Sequence, residues 1–199
     1  MNAPEGRSAK AAATRAAILA SARRAFAQHG YEGAGLRGIA EEAGVTAMMV
    51  NRYFGSKEGL FGEVVHDTMR DPVILSPVNL AAADPARAFA EALVGLTGTE
   101  ATPLDGFLIL FRSTTSDTAA RIARARIAEA HQRTAEGSVA GEHAAERAAL
   151  LLSLVAGVQM MRQMMQLAPL AGADPAVLAG LLTPVIGLLL GRVSAPSQG

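Results

Sequence analysis

Apolar residues recur along this chain at helical spacing, and the polar positions between them mark where each helix starts and stops. From Thr14 to Gln28, Ile18, Leu19, Ala22 and Phe26 share one face, with Arg15, Arg23 and Arg24 elsewhere on the wheel. His29-Gly30 ends this helix, Gly30 being suited to a left-handed cap. Leu36 to Ala43 is a second helix with the stripe Leu36, Ile39, Ala40 and Ala43. Gly44 stops it, Val45 returns to the core, and Thr46 caps a third helix, Ala47 to Phe54. There Val50 and Phe54 face inward, leaving Ala47, Met48, Asn51 and Arg52 outward with Met49 and Tyr53 at the margins. Ser56 caps a fourth helix that runs to about Arg70.

Beyond it, Asp71 to Ala83 holds Pro72, Pro77 and Asn79 and reads as a connector with a possible turn of helix. Asp84-Pro85 starts a helix to about Leu96 with Phe89 and Leu93 on one face. Pro103 or Leu104 to about Thr115 is the next, apolar along Leu104, Phe107, Leu108 and Phe111. Arg112 follows that run; if buried it needs a partner, either a carboxylate of a neighbouring helix or an acidic ligand. Ser116-Asp117 caps Thr118 to Ala135, whose arginines read as a solvated face. Gly137 to Gly141 is a joint before the longest helix, Glu142 to about Leu167. Asp174-Pro175 opens the last one, which ends near Leu190 and contains Pro184, expected to kink it. The stretch Ala148 to Val158 and the last helix are apolar nearly all round, so a second chain is expected to cover one side of each. Leu150, Leu151, Leu154, Val158, Met161, Leu178, Leu182, Val185 and Leu189 are the expected dimer surface, a four-helix bundle about a two-fold axis.

Composition supports an all-α fold. Alanine is abundant and β-branched residues are sparse, which favours helices. Half of the 199 residues are apolar, and there is no Cys, so disulfides and thiolate metal sites are excluded. Net charge is zero. Residues 1–70 hold nine basic and seven acidic side chains, a surplus of two that the remainder offsets. Single charges therefore carry the electrostatic argument. The first residues show no apolar signal region, and the two apolar stretches, 148–161 and 176–191, fall short of the roughly 20 residues of a membrane span. A cytoplasmic protein without membrane association is expected. The domain division that follows is a flexible basic arm over 1–13, a first helical domain over 14–70, a second helical domain over 71–192, and a disordered tail over 193–199.

Two short helices joined by Gly44-Val45-Thr46 make a helix-turn-helix, in which the second helix enters the major groove. Asn51 and Arg52 are side chains able to make bidentate contacts with base edges. Lys57 is anomalous: a cation in the first turn of a helix opposes the dipole. An anion docked there would resolve the conflict, which makes Lys57 a candidate phosphate clamp; the alternative is a solvated lysine. No catalytic constellation emerges, since His29, His66, His131 and His143 are scattered, and no metal site or cofactor is expected.

Residues 14–65 resemble the DNA-binding domain of the tetracycline-repressor family of bacterial transcriptional regulators. The matching positions are Phe26, Gly30-Tyr31, Leu36-Arg37, Ile39-Ala40, Ala43-Gly44-Val45-Thr46, Val50, Tyr53-Phe54, Ser56-Lys57-Glu58 and Leu60-Phe61. The resemblance implies an all-helical homodimer of about nine helices per chain, with an N-terminal three-helix bundle and a larger C-terminal ligand-binding and dimerisation domain. It implies a repressor, bound to a palindromic double-stranded operator in the nucleoid and released by a small apolar or amphipathic effector, and not an enzyme. By position, Arg37 matches a groove- or phosphate-contacting site, Thr46 the cap of the recognition helix, and Ala47, Met48 and Asn51 base-reading sites. Arg52, Tyr53 and Lys57 match mostly phosphate-contacting ones. Ala34-Gly35 lacks the hydroxyl usual before the second helix, and Asn51 stands where Tyr is common, so operator preference does not transfer from relatives. Pocket-lining candidates are Phe89, Leu93, Phe107, Phe111, Arg112, Gln159, Met160, Gln163 and Met164. The alternative function is a helical module that binds a membrane or another protein through its apolar C-terminal helices.

Overall fold

The computed structural model describes residues 3–70, 73–74, 76–98, 105–129, 137–139 and 141–191, with side chains from residue 8 onward. Among these residues there are eleven helices, nine of them seven residues or longer, and no strands. In chain order they are α1 (Ala3–Gly33), α2 (Leu36–Glu42), α3 (Ala47–Phe54), α4 (Lys57–Met69), α5 (Pro77–Leu80) and α6 (Pro85–Leu96). Then come α7 (Asp105–Arg112), α8 (Asp117–Ile127), α9 (Ala144–Gln159), α10 (Ala168–Ala171) and α11 (Pro175–Leu190), with a π-helical turn at Met160–Met164. The segment expected as an arm is helical from Ala3. Arg133, His131 and the expected end of the helix at Ala135 lie outside the described residues, as does the tail from 192.

Two compact units divide the chain. The first joins Met1–Arg70 to Leu104–Ile127, so α7 and α8, grouped by sequence with the C-terminal half, cluster with α1 to α4. Its core contains Ile18, Phe26, Tyr31, Ile39, Val50, Leu60, Phe61, Val64 and Ile109, all buried. The rings of Phe26 and Tyr31 each meet Phe61 edge-on, at 5.1 and 5.0 Å between centroids. Such pairs add to simple area burial. Ser21, also buried, lies 2.9 Å from both Ile39 O and the Glu42 carboxylate, its one proton serving one acceptor at a time.

The break in α1 shows why α7 belongs here. Gly30 has φ 66 and ψ −176, a region only glycine occupies without strain. A Cβ at this point would overlap the Arg112 carbonyl oxygen. With the helical ladder interrupted, Tyr31 N donates to Ser113 Oγ at 3.1 Å. Arg112 Nη1 donates to the carbonyls of Ala27 and Gln28. These belong to the turn just before the break. The expectation of a carboxylate or acidic ligand for Arg112 is therefore replaced by backbone carbonyls, and the side chain is exposed rather than buried.

The second unit joins Asp71–Pro103 to Ala128–Gly199. Phe89, Leu93, Val94, Ala148, Leu151, Val158, Leu178, Leu182, Ile186 and Leu190 fill its core. Asp84 caps α6 through Arg87 N at 3.0 Å, and Asp174 caps α11 through Ala176 N and Val177 N at 2.8 and 3.2 Å. Ser76 caps the single turn α5 in the connector. The expected long helix to Leu167 changes to π geometry at Met160, and Gln166, at φ 49, lies beyond its end.

The residues expected at the dimer surface differ in exposure. Leu151, Val158, Leu178 and Leu182 are buried in their own unit, while Leu154 and Leu189 are half-buried. Leu150, at 57% exposure, Met161 and Val185 are exposed as expected. On α11, beyond the exposed first residues Pro175 and Ala176, the exposed positions are Val177, Gly180, Leu181, Pro184, Val185 and Leu188, one continuous helical stripe without a polar residue. A helix apolar all round carries no polar mark of its outer face, so sequence could not set its rotation.

Candidate nucleic-acid interface

The α2–α3 corner is built by local chemistry. Ala43 is the last residue of α2's cap, and Gly44 takes φ 68, turning the chain so that Val45 N donates to Ala40 O at 2.9 Å. Thr46 Oγ1 then accepts from Met49 N at 3.3 Å and starts α3. Val50 anchors α3 in the core. The opposite face exposes Met48, at 80%, with Asn51 and Arg52; Ala47 and Tyr53 are half-buried. Arg52 lies in the last turn of α3, where a cation suits the dipole. Gly35 precedes α2 with no side-chain cap, and Arg37 in its first turn is exposed.

Ser56 caps α4 through Gly59 N at 3.2 Å. Lys57, in the first turn, is not a solvated lysine. Its Nζ lies 4.6 Å from the Tyr31 ring centroid and donates to Glu32 O at 3.4 Å. The ring's negative face and a carbonyl hold the ammonium. Glu58, next to it, is held below the usual carboxylate range by hydrogen bonds from Ser56, its own backbone N–H and Tyr31. Burial, with the Glu58 charge, pushes the Tyr31 phenol up.

Within this unit Arg15 is paired with Glu63, Arg23 with Asp105, Arg24 with Glu42 and Arg70 with Asp67. Arg37, Arg52 and Lys57 have no carboxylate partner among the described residues, a property they share with Lys10 and with Arg112, Arg121 and Arg124 of α7 and α8.

Two structural residues escaped the sequence reading. A Cβ on Gly59 would overlap the Phe54 carbonyl, so this glycine sets how closely α4 follows α3. Arg15 lies 5.2 Å over the Phe54 ring, tying α1 to the end of α3. A glycine inside a helical pattern was the available signal for the first; the second depended on tertiary placement.

The pocket candidates fall in both units. Phe107 and Phe111, stacked at 6.0 Å, and Arg112 are in the first. Phe89 and Leu93 belong to the core of the second, with Gln159 and Gln163 buried and Met160 and Met164 half-buried. Arg162, which sequence did not single out, is buried beside them in the chain.

An all-helical fold with an exposed, capped helix-turn-helix defines a DNA-binding regulator. Residues 18–64 match the model for bacterial regulatory proteins of the tetR family, and residues 81–190 match the tetracyclin repressor-like C-terminal domain. The second match alone spans more than half of the chain, and the protein belongs to the tetracycline-repressor family of DNA-binding transcription regulators.

Among curated relatives, the transcriptional repressor AcnR of Corynebacterium glutamicum is 48% identical over 48 residues, 24% of this chain and 26% of that protein. The regulatory protein RaaS of Mycobacterium tuberculosis is 63% identical over 35 residues, 18% of this chain and 16% of that protein. These alignments thus span about a quarter or less of those relatives' lengths. A solved regulator from Pseudomonas aeruginosa shares the fold with a TM-score of 0.64 at 22% identity, covering 88% of this chain and 90% of that one. AibR, solved with isovaleryl coenzyme A and operator DNA, gives a TM-score of 0.56 at 20% identity, covering 89% and 98%.

Proposed function

We propose that this protein is a repressor that binds a palindromic operator as a homodimer and leaves it when a small molecule binds. Supporting the DNA face is one observation above the others: α3, capped by Thr46 and anchored by the buried Val50, exposes Met48, Asn51 and Arg52 on its other face. In this reading α3 lies in the major groove. Ala47, Met48 and Asn51 meet base edges, while Arg37, Thr46, Arg52, Tyr53 and Lys57 fix the backbone. The Lys57 ammonium, at the positive end of α4, meets one phosphate.

The dimer rests on the apolar stripe of α11 and on Leu150 and Met161 beside the small residues of α9. An uncovered row of this kind is a recognition surface in a water-soluble chain. The segment Ala144–Met164 is long and apolar enough to cross a membrane. Against that reading, Arg162 in this segment is buried and hydrogen-bonded within the protein. AibR, with an acyl-coenzyme A and an operator in one structure, supports the use of this fold for effector-controlled DNA binding.

Selection of bound duplexes from a random pool tests the proposal. Recovery of an inverted repeat, with half-site centres about one helical turn apart, is expected. Recovery of a lone half-site, or binding to anionic vesicles in place of DNA, would reject the dimeric operator reading.

A further inference from the structure

One cation in the second unit is left unanswered. Arg162 is 3% exposed. Its Nε donates to Leu170 O at 3.2 Å, and its Nη1 donates to Val94 O at 2.5 Å and Thr97 Oγ1 at 3.1 Å. All three acceptors are neutral. No carboxylate among the described residues pairs with it, and its Nη2 makes no hydrogen bond to them. The carbonyls at the end of α6 suit a cation, but they occupy only one side of the guanidinium. Burial lowers its pKa, the sign of a charge whose lost hydration is not repaid.

A second, independent feature lies one turn earlier. Gln159 is 4% exposed and its Nε2 has no hydrogen-bond partner, and the same holds for the Oε1 of Gln163. Buried amide donors are rarely left so. Gln163, which follows by one more turn, donates to Leu96 O at 3.2 Å and so faces the same end of α6. Between Gln159 and Gln163 the helix changes to the π geometry of Met160–Met164, an irregularity common at functional sites.

The geometry points to a carboxylate-binding site, in which Arg162 Nη2 and Gln159 Nε2 donate to the two oxygens of a small organic acid whose hydrocarbon part lies against Leu96, Met164 and Leu170. This inference rests on the effector-binding part of the proposed function and names the effector's chemistry. A carboxylate would supply the missing negative charge and accept both unused donors, which an alcohol or amine cannot do.

Thermal unfolding of the full chain, titrated with octanoate, octanol and octylamine, tests it. Octanoate is expected to raise Tm saturably, while the alcohol and the amine are without effect. Gln159→Leu removes an unpartnered amide and so leaves the fold intact; it should weaken the octanoate midpoint about ten- to hundredfold. Arg162→Gln should abolish the response, and Glu100→Gln, at the carboxylate closest in sequence to Thr97, should leave it unchanged. Equal shifts from octanol and octanoate, no saturable rise with octanoate, or an unaltered midpoint in Gln159→Leu would overturn the site. Loss of stability in Glu100→Gln matching that in Arg162→Gln would assign an intrachain partner and overturn it equally. Operator binding is measured in parallel. A chain that binds operator but ignores octanoate keeps the regulator reading and loses this one; a chain that binds octanoate but no DNA does the reverse.

Discussion

Lys57 stands where the dipole of α4 disfavours it, yet Tyr31 and Glu32 O hold it there. In the proposed reading a docked phosphate offsets that cost, so the residue should contribute to all DNA binding alike. Lys57→Ala is expected to weaken every duplex by a similar factor and to lower the slope of log affinity against log salt by about one. Filter binding between low and moderate salt measures this, and an unchanged slope would remove Lys57 from the phosphate face. Asn51 differs, its side chain being exposed on α3. Asn51→Ala should change the preferred base at one position of each half-site by about 1–3 kcal/mol. A uniform loss across operator variants would place it on phosphate instead. Gly30 tests the fold rather than the site. Gly30→Ala forces a Cβ into a glycine-only conformation and into the Arg112 carbonyl, and should destabilise the protein by about 1–3 kcal/mol or more, read from denaturant midpoints.

Among the elements, α3 and α11 show opposite limits of legibility. In α3, Thr46, Val50 and Phe54 set its cap and its inner face before any tertiary contact is known. Met48, Asn51 and Arg52, read as outward, are exposed, while Ala47, also read as outward, is half-buried. In α11 nearly every residue is apolar, and only packing against α6 selects which side is buried. Leu178 and Leu182 went inward and Leu181 outward, at 67% exposure. A charge should therefore be placed at Leu181, not Leu182. Leu181→Glu is expected to give monomers by light scattering with an unchanged Tm to within a few degrees, because that side chain contributes little to the core. A dimer of unchanged mass would show that the two-fold surface lies elsewhere. Leu182→Glu, by contrast, would bury a charge and unfold the unit.

For the whole molecule the proposed dimer would link dimerisation to operator binding. Two recognition helices held about 34–36 Å apart would engage both half-sites together. Breaking the dimer should then cost far more on a full palindrome than on an isolated half-site. Gel shifts of Leu181→Glu on the two duplexes check this, and equal losses on both would separate DNA binding from dimerisation. The chain also passes between its two units three times, because α7 and α8 return to the unit of α1–α4. The segment 81–190 that matches the C-terminal family model thus contributes Arg112 and Ser113 to the socket at the α1 break. Changes in α7 are thereby expressed directly in the helix that supports the helix-turn-helix.

Sequence by itself determined the all-helical class, the caps at Thr46, Ser56, Asp84 and Asp174, the turn at Gly44, and the exposed set on α3. Each of these is a local matter of spacing, capping and backbone freedom within a few residues. Only the tertiary structure decided the rotation of α9 and α11, the carbonyl partners of Arg112, the seat of Lys57 on Tyr31, and the burial of Arg162. Those depend on which distant segment arrives, such as α7 at Gly30 or the end of α6 at Arg162, and no local pattern encodes that arrival. Apolar helices without polar markers and long cations with several available partners have many local solutions, and packing selects one.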